Sequence, residues 1–470
     1  MIDTKITNCK IVTEHGIIKA GIGIDKGKIV SIASGPNLPK SDKAVDARGN
    51  FVIPGVIDPH VHLGLTPSED DFKADCRTET VSAACGGVTS IISFLRSNAD
   101  SYKKVLDDRV KIVERESLVD VGFHIEIRNE TDIGEMPDYV RMGMPSAKFY
   151  LAYKGKEGAQ LGISSSDDAT LYLGFELLGR CKGLPMIHAE NGEILQLLQR
   201  RSKGDGLEAW ASIRPSFCEA ESIQRACFIA NICKVSLYIV HLSSAEGLAE
   251  VRAAKNGKQK VIAEVCPHHL SLTATGQGMI EPLWGKNSPP LRTKNDVSIL
   301  WEGLKDHYIS CMGTDHTAIK LSDKVGKDVW STRVGFPGVE TLLPLMLSEG
   351  VNKARISIED LVRICCSNNA RVHGLWPRKG SISVGSDADL LVLDLKKRKK
   401  VCAETLHSYS DFTPYEGWTL TGWPHMTIAR GNIVMHNDEV FEKENFGKFL
   451  KRHLNEKDTE ASNDHEKGFD

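Results

Sequence analysis

The sequence has no long hydrophobic run and no recognisable secretory leader. No stretch of about 18 apolar residues is present that could cross a bilayer. The first residues, MIDTKITNCKIV, also lack the apolar core of a signal peptide. We therefore expect a cytoplasmic protein that does not insert into a membrane.

An excess of one charge is also missing. Lys and Arg total 59 against 62 Asp and Glu. This balance gives no electrostatic reason to expect binding to nucleic acid or to an anionic membrane surface. The expected partner is a small molecule.

The twelve cysteines contain no CxxC pair and no regular framework spacing. In a reducing compartment such cysteines are expected to be free thiols that pack as small hydrophobic side chains. A disulfide framework and a thiol-based zinc finger are therefore not predicted. At 470 residues, the chain is longer than the roughly 250–300 residues that one hydrophobic core supports, so a large domain and a smaller one are expected.

Two hydrophobic patterns divide the chain. Residues 1–50, 380–394 and 425–435 alternate apolar and polar positions in short runs broken by Gly and Asp, which is typical of β-hairpins. Between them, short apolar runs alternate with longer amphipathic stretches, which indicates repeated βα units and a parallel sheet. The predicted parts are a small β-sandwich domain in two segments (1–50 and 376–441), a barrel domain (51–375) and a C-terminal tail (442–470) whose last dozen residues are expected to be disordered.

The middle region holds eight candidate strands. They are 51–57, 88–94, 121–127, 147–152, 184–188, 236–241, 260–266 and 308–313. Eight βα units in about 320 residues are typical of an α/β protein with a (β/α)8 TIM barrel, whose active sites lie at the C-terminal ends of the strands. A doubly wound open sheet is the structural alternative.

Four short motifs place polar side chains at the ends of these strands. They are DPHVH at 58–62, MIHAE at 186–190, IVHLS at 239–243 and GTDH at 313–316. His60 and His62 are two residues apart, so at a strand end they point to the same side and can bind one metal ion. His188, His241 and Asp315 would converge on them from other strands. The motifs therefore predict a metal site.

Lys148 interrupts the apolar strand SAKFYLAYKG at 146–155. A buried ammonium needs a partner, and it would be repelled by divalent ions. A carbamate formed from CO2 and the neutral amine would instead be an anion whose two oxygens could bridge two ions. A lysine paired with a neighbouring carboxylate is the alternative. Asp58, two residues before His60, is expected to support the ligands from behind.

This ordered set of residues on eight βα units resembles the amidohydrolase superfamily. The resemblance covers about residues 5–440 and is closest to the cyclic-amide hydrolases, namely dihydropyrimidinases and hydantoinases, dihydroorotases and allantoinases. It implies two divalent metal ions, usually zinc, bridged by N6-carboxylated Lys148 and a hydroxide. It also implies a homotetramer.

The resemblance further implies a division of the ligands between the two ions. His60, His62 and Asp315 would hold the more buried ion, and His188 and His241 the more exposed one. Asp315 would also take a proton from the attacking hydroxide and later deliver it to the leaving ring nitrogen. The implied reaction opens a cyclic imide or ureide to an N-carbamoyl amino acid.

Several segments resemble dihydropyrimidinase or hydantoinase in particular. They are YLAYKG at 150–155, HAENGEIL at 188–195, NSPPLR at 287–292 and WPRKGSISVGSDADLLVLD at 376–394. By this resemblance the hydroxyl of Tyr153 donates a hydrogen bond to the oxygen of the tetrahedral intermediate, and Ser288 holds the ring amide through its main chain. Gly338 would contact the substrate through its backbone carbonyl.

Two alternatives remain open at this level. CPHHL at 266–270 and GFPGVETLLPLM at 335–346 look more like dihydroorotase and allantoinase. Against dihydroorotase, Gly64 stands where that enzyme has the arginine that binds the substrate carboxylate; Arg96 and Asn98 are nearby but differently spaced, so a neutral ring is favoured. A non-catalytic scaffold of the same fold is the other alternative, although such relatives lack much of the ligand set that is present here.

Overall fold

The computed structural model describes residues 1–155, 158 and 162–455. Its strands are β1 (Ile2–Thr13), β2 (Gly16–Asp25), β3 (Lys28–Ala33), β4 (Ser41–Asp46), β5 (Phe51–Pro54), β6 (Val56–His62), β7 (Val88–Leu95), β8 (Asp120–Glu126), β9 (Ser146–Tyr150), β10 (Leu184–His188), β11 (Leu237–Ile239), β12 (Val261–Val265), β13 (Cys311–Met312), β14 (His316–Thr317), β15 (Leu390–Lys400), β16 (Thr419–Ala429), β17 (Asn432–His436) and β18 (Glu439–Val440).

The helices fall mostly between the strands of the middle region. The α-helices are Glu69–Cys85, Leu106–Glu116, Glu130–Gly134, Met136–Arg141, Asp168–Cys181, Gly192–Gln199, Leu207–Ser212, Ser216–Cys233, Ala245–Asn256, Lys294–Lys305, Leu321–Lys324, Leu342–Leu345, Ile358–Val362 and Asn368–Val372. Single 3-10 turns are Gly35–Asn37, Tyr102–Lys104, Pro267–Leu270, Pro282–Gly285, Val339–Thr341 and Ala403–Thr405. Two π-helical turns are Met346–Val351 and Arg363–Ser367.

The amphipathic stretches become helices whose starts are set by capping side chains. Asp167 accepts a hydrogen bond from the backbone N–H of Thr170, and Ser244 accepts one from that of Gly247. Each bond satisfies an N–H group that the first helical turn leaves unpaired. The helices therefore begin at the ends of the loops that follow the barrel strands.

Strands β6 to β14 form one parallel sheet that closes on itself. Its order is β13-β12-β11-β10-β9-β8-β7-β6-β14. The eighth strand is interrupted, because β13 pairs with β12 and β14 pairs with β6. Gly313, Thr314 and Asp315 lie in the gap between the two halves. This closure confirms the (β/α)8 barrel and excludes the open doubly wound sheet.

The first predicted strand, 51–57, is wrong as a single element. Residues Phe51–Pro54 form β5, which pairs with β1 and β15 in the other sheet, and Val56–His62 form β6, the first strand of the barrel. Gly55 separates them. A Cβ on Gly55 would lie 2.0 Å from Thr89 Oγ1, so only glycine lets the chain pass from one sheet to the other here.

The second sheet combines the two ends of the chain. Its order is β18-β17-β16-β15-β5-β1-β2-β3, with β4 paired to β1. A separate hydrophobic cluster includes Ile6, Ile22, Val52 and Leu390. The small β domain built from N- and C-terminal segments is therefore confirmed as an architecture, whereas the exact domain limits stay a prediction.

The described part of the tail packs against the barrel. Val121 N–H donates to the carbonyl of Lys448 at 3.0 Å, and Leu450 N–H donates to the carbonyl of Val121 at 2.8 Å. The guanidinium of Arg452 is fully buried and donates to Ser146 Oγ at 2.9 Å. Since Val121 and Ser146 lie at the starts of their strands, the tail covers the N-terminal end of the barrel. The disorder predicted for the last dozen residues lies outside the described residues.

Two expectations from composition can be compared with the structure. All twelve cysteines are free, and nine of them are buried, which confirms that they pack as small hydrophobic side chains. Across residues 1–155, 158 and 162–455, no helix combines the length and the apolar character needed to cross a bilayer.

Candidate metal centre and substrate cavity

The six predicted ligands come together at the C-terminal end of the barrel. His60 and His62 lie at the end of β6, Lys148 lies in β9 and His188 ends β10. The two remaining ligands follow the short strands β11 and β13. All six are buried or nearly so; the residues are His60, His62, Lys148, His188, His241 and Asp315.

The six side chains form two neighbouring groups. His60 Nε2 and His62 Nε2 each lie 3.1 Å from Asp315 Oδ1. In the second group, His188 Nδ1 lies 2.9 Å from His241 Nε2. Lys148 Nζ lies 2.9 Å from His60 Nε2. The grouping is the one expected for two adjacent metal sites.

The donor set fits divalent metal ions. One donor atom from each of His60, His62 and Asp315 lies within 4.8 Å of the others. Within the described residues, the Nδ1 atoms of His62 and His241 are buried and have no hydrogen-bond partner. Buried imidazole nitrogens and a carboxylate are the ligands that zinc prefers. The chemistry of the converging donors therefore fits a metal centre, whereas the unpartnered Nδ1 atoms are the other nitrogens of those rings, opposite the Nε2 atoms that approach Asp315 and His188.

Burial and neighbouring charges set the ionisation of the site. Burial lowers the pKa of the Lys148 ammonium, against the opposing influence of Asp315 and Glu126. For Asp315, burial alone would raise the carboxyl pKa, but the imidazoles of His60 and His62 outweigh it and hold that pKa well below its usual range. The site thus shifts Lys148 towards its uncharged amine and Asp315 towards its ionised carboxylate.

Glu264 supports histidines from both groups. Its Oε1 atom lies 2.7 Å from His60 Nδ1 and accepts a hydrogen bond from the backbone N–H of His241 at 2.9 Å. Its Oε2 atom accepts one from the hydroxyl of Tyr238 at 2.9 Å. Carboxylates placed in this way orient a ligating imidazole and select its tautomer. The Glu264 side chain therefore positions a residue in each of the two groups, through the imidazole of His60 and the backbone of His241.

Glu190 and Asp58 complete this support. Glu190 Oε2 lies 2.8 Å from His188 Nε2 and 2.7 Å from a guanidinium nitrogen of Arg214. Asp58 accepts hydrogen bonds from the backbone N–H groups of His60, at 3.1 Å, and Thr314, at 3.0 Å. Asp58 thus lies behind the ligands, as expected from its position in the sequence.

Glu264 and Glu190 are not among the residues that the sequence motifs predict for this site. A usable signal existed for Glu264, because it is the single acidic residue within the apolar strand KVIAEVC at 260–266. An unpaired carboxylate there would be costly to bury. Glu190 carried a similar signal in MIHAE at 186–190, directly after a predicted ligand.

His241 and Asp315 adopt left-handed backbone conformations, with φ of 41° and 54°. For residues other than glycine such conformations cost about 1–3 kcal/mol each and are concentrated at functional sites. Strand β11 ends two residues before His241, and β13 ends three residues before Asp315. The barrel therefore places these ligands at the expense of regular strand geometry.

The candidate ligands open onto a cavity of about 590 Å³. This volume lies within the range that small-molecule sites usually have. Tyr153 and Ser288 line it together with five of the six ligands, while His60 lies behind them. The ring centroid of Tyr153 is 4.9 Å from that of His188. The structure thus brings the predicted substrate-binding residues Tyr153 and Ser288 to the ligands.

The prediction for Gly338 is not supported by its position. Gly338 does not line the cavity; its N–H donates to His316 Nδ1 at 3.0 Å. Gly335 lines the cavity instead. Residues 333–335, which come before Gly338 in the same segment, all line the cavity.

Comparison with known proteins gives a consistent result over nearly the whole chain. Residues 232–434 match the model of the Amidohydrolase family. An L-hydantoinase of Paenarthrobacter aurescens is 33% identical over 96% of this chain and 98% of its own length. A D-hydantoinase of Geobacillus stearothermophilus is 34% identical, over 95% and 96% respectively. The crystal structure of a dihydropyrimidinase from Brevibacillus agri is 30% identical, with a TM-score of 0.88 over 96% of this chain and 99% of that one.

Proposed function

This chain belongs to the amidohydrolase family as a cyclic amidohydrolase of the hydantoinase and dihydropyrimidinase type, and from this premise we propose that it opens a hydantoin or dihydropyrimidine ring to an N-carbamoyl amino acid. The supporting observation is that five of the six candidate ligands line one cavity together with Tyr153 and Ser288, while the sixth, His60, contacts Lys148 and Asp315. A non-catalytic scaffold has no need for such a buried donor set.

The proposed cofactors are two divalent metal ions, with zinc as the expected metal. His60, His62 and Asp315 would hold one ion and His188 and His241 the other. When bound, such ions lower the pKa of water to give a nucleophile near neutral pH and polarise the amide carbonyl. The donor set of imidazoles and a carboxylate supports this assignment.

Lys148 is proposed to carry an N6-carboxyl group. Its amine is buried 2.9 Å from His60 Nε2, where an ammonium would oppose the binding of cations. A carbamate at the same position would carry one negative charge shared by two oxygens, each able to bind a metal ion. The uncharged amine that burial favours is the form that reacts with CO2.

Three residues of the chain are proposed to transfer the proton, stabilise the oxyanion and bind the ring amide. Asp315, ionised and buried beside His60 and His62, accepts the proton of the attacking water and delivers it to the leaving ring nitrogen. The hydroxyl of Tyr153 donates a hydrogen bond to the amide carbonyl oxygen, which becomes negative when water attacks. The side chain of Ser288 is engaged with Glu190 Oε2 at 3.3 Å, so its main chain is the part that faces the ring amide.

The cavity supports a neutral ring over dihydroorotate. Gly64 provides no side chain to pair with a ring carboxylate. Arg96 does line the cavity, but its guanidinium lies 3.5 Å from a carboxylate oxygen of Glu126 and donates to the carbonyl of Leu65 at 3.0 Å. Its charge is therefore largely balanced within the protein.

A substrate panel tests this proposal. We expect kcat/KM for dihydrouracil or a 5-substituted hydantoin to exceed that for dihydroorotate and allantoin by at least about tenfold, equal to about 1.4 kcal/mol of transition-state binding. Formation of the N-carbamoyl product, followed by chromatography, is the measurement. A higher kcat/KM for dihydroorotate or allantoin would contradict the proposal and assign the corresponding activity instead.

Replacing Tyr153 with phenylalanine is expected to lower kcat by about 10²–10³-fold, the usual effect of removing one preorganised donor to an oxyanion. Metal content and melting temperature should stay near wild type, because the aromatic ring still packs 4.9 Å from His188. Tyr308→Phe is the matched control, since that hydroxyl binds Asn256 and does not line the cavity. An unchanged kcat in Tyr153→Phe would remove the assigned role.

We also propose that the protein is a homo-oligomer, with a tetramer expected from the family. Phe228 and Ile232 are 68% and 57% exposed on the helix Ser216–Cys233, and Tyr172 is 45% exposed on the neighbouring helix Asp168–Cys181. Tyr172 and Phe228 line one shallow groove. Large apolar side chains grouped in this way mark surfaces that associate.

Phe228→Asp is expected to shift the protein towards smaller species in sedimentation velocity, because a carboxylate in an apolar contact loses its hydration without a partner. The control is Phe441→Asp, which changes a residue 39% exposed outside this groove. Identical sedimentation of Phe228→Asp and wild type would place any subunit contact elsewhere.

A cytoplasmic location is proposed as well. All twelve cysteines are unpaired, as expected for a chain that stays in a reducing compartment.

A further inference from the structure

Three arginines line the cavity, and two of them are paired with acids. Arg96 faces Glu126, with 3.5 Å between the nearest nitrogen and oxygen. Arg128 pairs with Asp132 at 2.8 Å. The third is Arg333, whose guanidinium forms no ion pair with any residue in the described ranges. Among the arginines that line the cavity, Arg333 is thus the one without an acidic partner in residues 1–155, 158 and 162–455.

Arg333 lies at the mouth of the cavity. It is exposed, whereas the metal ligands are buried. It belongs to the segment that follows β14, and the neighbouring residues Val334 and Gly335 also line the cavity. A substituent long enough to extend from a ring at the candidate ligands to this part of the wall would meet the segment that carries the Arg333 guanidinium.

The backbone around Arg333 is held by a buried lysine. Lys324 Nζ donates to the carbonyls of Arg333 at 2.7 Å, Gly335 at 2.8 Å and Lys286 at 2.7 Å. The backbone N–H of Arg333 in turn donates to the carbonyl of Lys324 at 2.8 Å. These bonds tie the segment to the loop that carries Ser288. A segment held in place beforehand loses less conformational entropy when a ligand binds.

We propose that the physiological substrate carries an anionic group at the outer end of its ring substituent, and that Arg333 binds this group. The inference rests on the proposed function and specifies its substrate class as a hydantoin or dihydropyrimidine with an acidic side chain. A guanidinium pairs with a carboxylate through two parallel hydrogen bonds. The carboxylate of dihydroorotate does not satisfy this description, because it is attached to the ring itself.

Two nearly isosteric substrates test the proposal: 5-(2-carboxyethyl)hydantoin and 5-(2-carbamoylethyl)hydantoin. We expect the wild-type enzyme to show kcat/KM at least about tenfold higher for the acid, a difference that shrinks as salt screens the charge. Arg333→Gln should lose about tenfold or more on the acid and leave the amide unchanged. Arg333→Lys should retain part of the preference, and Arg398→Gln, which changes an exposed arginine on β15, should retain all of it.

The possible results separate the two claims. Equal kcat/KM for the acid and the amide in wild type, or equal losses for both in Arg333→Gln, would overturn the role of Arg333 while leaving the hydantoinase activity in place. Hydrolysis of neither compound, together with no hydrolysis of dihydrouracil, would refute the proposed function, and the inference would fall with it; hydrolysis of dihydrouracil alone would overturn the inference only. Melting temperatures of the variants identify any loss that comes from unfolding, and Arg333→Lys provides the comparison in a folded protein.

Discussion

Lys148→Ala is expected to lose both metal ions and to fall below about one-thousandth of wild-type activity. The residual proton-transfer groups contribute only about 10²–10⁴-fold in enzymes generally, and they have no activated nucleophile to assist once the metal is gone. The structure predicts this outcome because the Lys148 amine lies 2.9 Å from His60 Nε2, at the junction of the two groups of ligands. Metal content by mass spectrometry and ring opening by chromatography are the measurements.

A carbamate bridge makes a further expectation that a simple structural lysine does not. Because the bridge supplies two carboxylate-like oxygens, acetate or propionate added to Lys148→Ala should restore part of the metal binding. Metal-free wild-type protein should also recover its ions more slowly when bicarbonate is removed.

Lys255→Met is the matched control for this variant. Lys255 is also a buried lysine, but its ammonium donates to Ser310 Oγ at 3.0 Å and does not line the cavity. This variant should keep its metal. Two tightly bound ions in Lys148→Ala would show that the bridge does not exist.

Asp315→Asn is expected to reduce kcat by about 10³-fold or more while leaving most of the metal in place. Loss of general acid–base catalysis accounts for about 10²–10⁴-fold, and an amide can neither accept the proton nor return it to the ring nitrogen. His60 and His62 remain to hold the ion, since both lie 3.1 Å from the Asp315 oxygen that the amide replaces.

Metal content measured beside kcat separates proton transfer from metal binding. Asp306→Asn, which alters an exposed carboxylate 3.4 Å from Arg252, controls for the substitution itself and should be fully active. Near-normal turnover of Asp315→Asn with its ions bound would exclude the proton-transfer role.

The fold followed from sequence periodicity to a large extent. Alternating apolar runs and amphipathic stretches predicted the barrel, because each βα unit must bury one face of a helix against a strand. The closure of the sheet between β14 and β6 agrees with this. The split of residues 51–57 between two sheets was not predicted, since FVIPGVI reads as one apolar run. The close approach of Thr89 to Gly55 is a contact between distant parts of the chain.

The candidate site was predictable where it depends on strand ends. His60, His62, His188, His241 and Asp315 each follow a strand, and the ends of parallel strands meet at one edge of a barrel. The order of the motifs along the chain was therefore enough to predict that these side chains converge. The motifs did not predict the supporting carboxylates. Glu264 supports the site through its contact with His60, which lies 204 residues away in the sequence and comes close only in the folded barrel.

The sequence by itself determined which residue types stand at the ends of the barrel strands, and with them the metal-dependent chemistry of the family. The tertiary structure alone decided which loop residues reach the cavity. It placed Gly335 rather than Gly338 in the wall, and it left Arg333 at the mouth without an acidic partner in the described residues. The reason is physical: strand ends repeat with the period of the βα unit, whereas loop paths depend on single contacts such as the three carbonyls bound by Lys324.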